Sequence, residues 1–152
     1  MSNPPSQSLD LNNVALGTSA ALLVTPDGRY LVQKRDQIPE ISMPDRWCLF
    51  GGQIEENESS EEALRRELME EIEFSPGEMT FFTQMAFDAV YSDGGSRRRW
   101  YFEASIDPEI IPDLVLHEGA DFGLFTIKEL FSMASEFVPY DLAVLHLHVM
   151  TR

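Results

Sequence analysis

With one cysteine in 152 residues, this chain has no internal disulfide to hold it together, and a zinc site would lack thiolate partners. Cys48 lies between Trp47 and Leu49, an apolar setting in which a free thiol behaves as a core residue. Basic residues are scarce too: 11 Lys and Arg stand against 26 Asp and Glu, a formal net charge of −15. Binding to nucleic acid or to an anionic membrane needs a basic face that displaces counterions, so the balance argues against both partners. No apolar run is long enough to span a bilayer. Residues 1–13 have neither the apolar centre of a signal peptide nor the arginine-rich character of a transit peptide. The expectation is a soluble, cytoplasmic protein. A phosphate-bearing small molecule stays open as a ligand provided that something offsets the repulsion, as a bound divalent cation would.

At 43% hydrophobic residues, the chain can bury the core of one domain, read here as residues 14–152 behind a flexible segment 1–13. Residues Val14 to Thr25 end in a continuous apolar run and read as a strand, Pro26-Asp27-Gly28-Arg29 as a turn, and Tyr30 to Lys34 as the returning strand. After a loop carrying Pro39 and Pro44, Trp47 to Phe50 reads as a short strand running into Gly51-Gly52. Ser59 and Glu62 form a capping-box pattern. Ala63, Leu64, Leu68 and Ile72 then give an apolar helical stripe that should end near Glu73. Glu78 to Ser92 and Arg97 to Ile106 read as strands around a turn at Asp93-Gly94-Gly95-Ser96. A loop at 107–112 and short strands at 114–117 and 120–125 follow, then helices at 128–134 and 140–150. Strands on both sides of a central helix, with a terminal helix to cover the other face, predict an α/β fold with a mixed sheet between helices.

The central helix carries the chemistry. Successive residues turn about 100°, so Glu67, Glu70 and Glu71 share one arc, offset by roughly 110° from the Leu64, Leu68 and Ile72 stripe. They flank the core instead of pointing straight away from it. Either they are an acidic solvated face, or they converge on a hard divalent cation that relieves their repulsion, with Mg²⁺ or Mn²⁺ suited to carboxylate ligands.

Read onward from Gly52, the segment is GQIEENESSEEALRRELMEEIEF, and it resembles the signature of the Nudix hydrolases. Gly52, Glu58, Arg66, Glu67, Leu68, Glu70, Glu71 and Phe74 match at the family's spacing over 23 residues, and Glu73 stands where the family carries glycine. The resemblance implies an α/β/α sandwich and Mg²⁺-dependent cleavage of a phosphoanhydride bond. The substrate would be a nucleoside-diphosphate-linked compound: a nucleoside triphosphate, a dinucleoside polyphosphate or a nucleotide sugar. It also allows a homodimer. The metal ligands it implies are Glu67, Glu70, Glu71 and the carbonyl of Gly51, with Arg66 orienting Glu67 and Glu58 supporting the loop or an outer metal. Glutamate takes the left-handed helix-ending conformation at a cost of roughly 1 kcal/mol, so an altered helix end with intact catalysis is expected.

For the proton acceptor, Glu67 and Glu70 are candidates within the helix, and Glu118 is a third from the loop Leu116-His117-Glu118-Gly119. It is either the base, an additional metal ligand, or an ordinary loop acid. Arg97 and Arg99 should share one face of their strand, with Arg98 on the other, and are read as phosphate-binding groups or as an exposed strand end. Arg35 is a further phosphate-binding candidate. Tyr91, Trp100 and Tyr101 are candidates for stacking on a base or for core packing. Tyr91 lies 17 residues beyond Phe74, which resembles a marker of the dinucleoside-polyphosphate subgroup. The proline typical of the ADP-ribose subgroup is missing. His117, His146 and His148 do not form a shared site. The alternative to an enzyme is a catalytically idle Nudix domain that binds a nucleotide as a sensor.

Overall fold

The strand Thr18–Val24 (β1) is the axis of the molecule, because its side chains feed two separate cores. The computed structural model describes residues 17–39, 43–87 and 97–152. Ala21 and Leu23 point to one face of the sheet and pack with Leu64, Leu68 and Ile72 of the helix Ser60–Ile72 (α1). Ala20, Leu22 and Val24 point to the other face. They pack with Leu130 of the helix Ile127–Ser132 (α2) and with Val144 and Leu145 of the helix Pro139–Thr151 (α3). Alternation along a strand buried on both sides explains why this stretch of sequence is continuously apolar. The result is a mixed sheet covered by helices on both faces.

The sheet is built around a divergence. Tyr30–Lys34 (β2) pairs antiparallel with β1 only at Leu23↔Leu31 and Val24↔Tyr30. Beyond that point the two strands part, and residues 47–53 enter between them. Trp47–Cys48 (β3) pairs with β2, and Phe50–Gln53 (β4) pairs with β1 through Thr18↔Gln53 to Ala21↔Phe50. The stretch expected as one strand therefore changes neighbours at Leu49. Met79–Phe87 (β5) and Arg97–Ser105 (β6) are antiparallel, β6 runs parallel to β1, and Asp121–Phe125 (β7) closes the far side against β2.

Several expectations need correction. Residues 114–117 form no strand: the amides of Val115 and His117 donate to the carbonyls of Ile72 and Glu71, at 3.4 and 2.8 Å. The last carbonyls of a helix have no partner within it, and this loop supplies one in place of a ladder. Residues 107–112 are not an open loop. Pro108–Asp113 forms a 3-10 turn whose start is capped by Asp107, which accepts the Glu109 amide at 2.9 Å. The helix end at Glu73 is not altered, because Glu73 itself takes the left-handed conformation (φ 54°, ψ 38°). Its amide reaches back to Leu68 and Met69, and buried Phe74 bonds to Leu68 at 3.3 Å, which holds the strained residue in place. The expected turn at 93–96, and the flexible segment at 1–13, lie outside the described residues. No helix is long and apolar enough to cross a membrane among the described residues.

Candidate functional site

The site is assembled where α1 meets the divergence of the sheet. The helix starts as its sequence predicts: Ser59 Oγ accepts the Glu62 amide at 3.1 Å, and Glu62 accepts the Ser59 amide at 3.2 Å. Just before that cap, Glu58 is tied down by Arg66, whose NH2 and Nε donate to its two oxygens at 2.7 and 3.1 Å. The same guanidinium donates from NH1 to Glu67 at 3.0 Å and to Glu70 at 3.3 Å, and from NH2 to the carbonyl of Gln53 at 2.9 Å. One planar cation thus fixes three carboxylates and the end of β4. The Arg66 contact draws the Glu58 carboxyl below its ordinary range.

Glu67, Glu70 and Glu71 share an arc but not a fate. Relative to Glu67, Glu70 is turned about 60° one way and Glu71 about 40° the other. Glu71 accordingly dips into the protein, 3% exposed, and accepts the Gly51 amide at 3.3 Å, whereas the Glu70 side chain is 54% exposed and faces Arg66. The third carboxylate near Glu67 and Glu71 is Glu118. Oxygens of Glu67, Glu71 and Glu118 lie within 4.8 Å of one another, and Glu70 is not among them. Glu118 is delivered by the loop bonded to the end of α1. Burial first, and then the charges of Glu67 and Glu118, push the Glu71 carboxyl up to about 8. Burial raises Glu67 as well, against the pull of Arg66. Three oxygen donors crowded in a partly dry recess fit a hard divalent cation, which would offset the repulsion that raises both groups.

Two glycines let the strand approach so closely. A Cβ on Gly52 would stand 2.3 Å from Cδ of Glu67, and one on Gly51 would stand 1.9 Å from the carbonyl oxygen of Ser19. Only a bare backbone fits between β1 and the carboxylates.

The acidic recess belongs to a cavity of about 940 Å³ that Arg35, Phe87, Arg97, Arg98, Arg99 and Tyr140 also line. The Arg35 Nε is buried with no hydrogen-bond partner among the described residues. Of the two readings of Arg99, a phosphate-binding group or an exposed strand end, its burial rules out the second. It is fixed by Asp141 through Nε and NH2, at 3.0 and 3.2 Å, and by Thr18 Oγ1 at 3.1 Å. Tyr101 is fully buried with its hydroxyl on Asp141 at 2.9 Å, so it has no face to offer a base. Trp100 packs against the core on the α1 side. Tyr91 lies outside the described residues. The histidines stand apart: His117 beside Glu73, His146 against Phe131, and His148 buried between Tyr30 and Glu103. Cys48 is buried, which pushes its thiol up to about 12 and leaves it inert.

Sequence reasoning missed Asp141, Phe87 and Tyr140. A signal for Asp141 was present, since it is the one Asp, Glu, Lys or Arg within Pro139–Thr151.

Comparison with known proteins agrees with this geometry. The NUDIX domain model matches residues 15–147. A nucleoside triphosphatase, NudI of Escherichia coli O139:H28 (strain E24377A / ETEC), is 40% identical over 63 residues. The match takes in 41% of this chain and 41% of that relative, so the chain spans about two fifths of the relative's length. A mutT/nudix family protein from Listeria innocua superposes with a TM-score of 0.72 at 25% identity, covering 90% of this chain and 93% of that one. The NUDIX domain of Shewanella oneidensis NrtR, in complex with ADP ribose, gives a TM-score of 0.73 at 19% identity, with 91% and 88% covered. The divided sheet, the capped glutamate helix and the residues matched together establish that this chain belongs to the NUDIX family.

Proposed function

We propose that the protein is a Mg²⁺-dependent hydrolase that cleaves a phosphoanhydride bond in a nucleoside-diphosphate-linked compound. The observation that carries this reading is one cavity lined both by carboxylates, with oxygens of Glu67, Glu71 and Glu118 within 4.8 Å of one another, and by the arginines Arg35, Arg97, Arg98 and Arg99. Glu70 is turned toward Arg66, while Glu67, Glu71 and Glu118 would hold the cation. When bound, it would neutralise phosphate oxygens and acidify a water. Arg66 keeps Glu67 and Glu58 in place. The buried Nε of Arg35 is an unused donor that a phosphate oxygen would satisfy, and Arg97 lines the same cavity. Of the candidate proton acceptors, Glu118 is exposed and carried on a loop, while Glu70 is engaged by Arg66.

The name of the NudI relative, a nucleoside triphosphatase, supports nucleoside triphosphates as the first substrates to try, with dinucleoside polyphosphates and nucleotide sugars next. The second reading, a domain that binds a nucleotide without cutting it, is favoured by the likeness to a NUDIX domain in complex with ADP ribose. A panel assay for phosphate and pyrophosphate release with Mg²⁺ and Mn²⁺ separates the two. Turnover that is abolished in Glu71→Gln supports the hydrolase. Nucleotide binding with no turnover of any compound supports the sensor.

A further inference from the structure

The place where the chain changes neighbours has an accounting problem, and its solution reaches the metal end of the cavity. At Leu49 the backbone has left β2 and has not yet joined β1, so neither ladder serves its amide or its carbonyl. Leu49 is 1% exposed, and water cannot replace the missing partners. Two buried side chains do. Asp141, 0% exposed, accepts the Leu49 amide through Oδ2 at 3.0 Å, and Gln33, 7% exposed, donates to the Leu49 carbonyl at 3.4 Å. Asp141 is itself locked. Its Oδ1 takes Arg99 Nε and the Tyr101 hydroxyl, and its Oδ2 also takes Arg99 NH2, so each oxygen accepts two bonds.

Two residues after Leu49 comes Gly51, whose amide donates to Glu71, and then Gly52, against which the Glu67 carboxylate packs. We propose that Asp141 is a positioning residue for the metal end of the cavity. By holding the Leu49 amide at the crossover it sets where Gly51 and Gly52 stand against Glu71 and Glu67. The residue touches neither substrate nor cation; it acts from α3, across the sheet from α1. The inference rests on the metal reading above.

The test is Mg²⁺ binding to the nucleotide-free protein, followed by calorimetry and by the backbone amide resonances of Leu49 and Gly51. Asp141→Glu keeps the charge opposite Arg99 but displaces the carboxylate by one methylene. It should shift both resonances, weaken Mg²⁺ binding about 10-fold or more, and lower kcat with little change in KM. Asp141→Asn should also weaken Mg²⁺ binding. Tyr101→Phe removes a different bond to the same carboxylate and should leave Mg²⁺ affinity within about 2-fold of wild type, because the Leu49 contact survives. Wild-type Mg²⁺ affinity in a folded Asp141→Glu or Asp141→Asn protein would overturn the inference. Should neither variant fold, Gln33→Met frees the Leu49 carbonyl without touching the ion pair, and unchanged Mg²⁺ affinity there counts against the crossover in the same way. If the wild type itself binds no Mg²⁺, the metal reading fails, and the positioning role with it. If the wild type binds and the variants bind equally, only the positioning role fails.

Discussion

The amide of His117 donates to the carbonyl of Glu71 across 2.8 Å, a bond between the loop that carries Glu118 and the helix that carries the other two carboxylates. Glu118 is exposed, and its placement rests on that tether, on the Val115 bond to Ile72, and on the amides of Gly119 and Ala120, which donate to Asp36 Oδ2 at 3.3 Å and to the Lys34 carbonyl at 2.9 Å. Replacing Glu118 with Gln keeps the shape and removes the charge and, on the proposed reading, a cation ligand or proton acceptor. We expect kcat to fall about 100-fold or more with KM nearly unchanged, and the melting temperature of the metal-free protein to hold or rise slightly as repulsion is relieved. Steady-state kinetics and a thermal melt check both. Wild-type kcat in Glu118→Gln would remove this residue from the mechanism.

The buried carboxyl of Glu71 makes the metal-free protein sensitive to alkali. Its folded value, about 8, lies above its ordinary 4.5. Between those values the folded state binds more protons at this group than the unfolded state does. The stability contributed by protonated Glu71 is therefore fully present below pH 4.5 and is lost as pH rises through about 8. Melting curves in EDTA should show Glu71→Gln gaining on the wild type as pH rises from 5 to 9. Calorimetry in buffers of different ionisation enthalpy should record roughly one proton released per Mg²⁺ bound near neutral pH. Parallel pH curves for the two proteins would contradict the first expectation.

Gly52 is a contact, not a hinge. Gly52→Ala places a methyl carbon 2.3 Å from the Glu67 carboxyl carbon, so that side chain must move. Stability should drop by about 1–3 kcal/mol and kcat/KM by about 10-fold or more, measured by denaturant unfolding and initial rates. Full activity would mean that the position of Glu67 is not critical.

Glu73 occupies a backbone conformation that glycine adopts freely. Glu73→Gly should stabilise the protein by about 1 kcal/mol, less the small loss of the half-exposed contact to His117, and should leave turnover unchanged. Chemical denaturation provides the measurement, and destabilisation would show that the His117 contact outweighs the strain.

How much could be read beforehand follows from the range of the interactions. The capping box, the apolar stripe and the arc of glutamates are set by helical periodicity, and all were legible. The alternation of β1 into two cores was legible as a continuous apolar run. What periodicity could not express was partnership at a distance. The Arg66–Glu70 pair, four residues apart on one helix, was within reach of periodicity, but nothing near Glu67 and Glu71 says that Glu118 will join them, because that depends on where the loop at 114–120 docks. The strand expected at 114–117 failed for the same reason, since its amides are taken by the carbonyls at the end of α1. The sequence offers Arg99 only as a phosphate-binding group or an exposed strand end, because its partner, Asp141, lies 42 residues away.

The crossover at Leu49 also bears on how this scaffold tolerates changes in length. An extra residue between Cys48 and Gly52 would shift the register of β4 by one, reversing which side chains face each core and drawing the glycines away from Glu67 and Glu71. A change of length before Trp47 would leave that register intact, provided the pairing of Arg35 with Arg46 is kept. The spacing from Cys48 to the carboxylates is therefore the length that cannot drift.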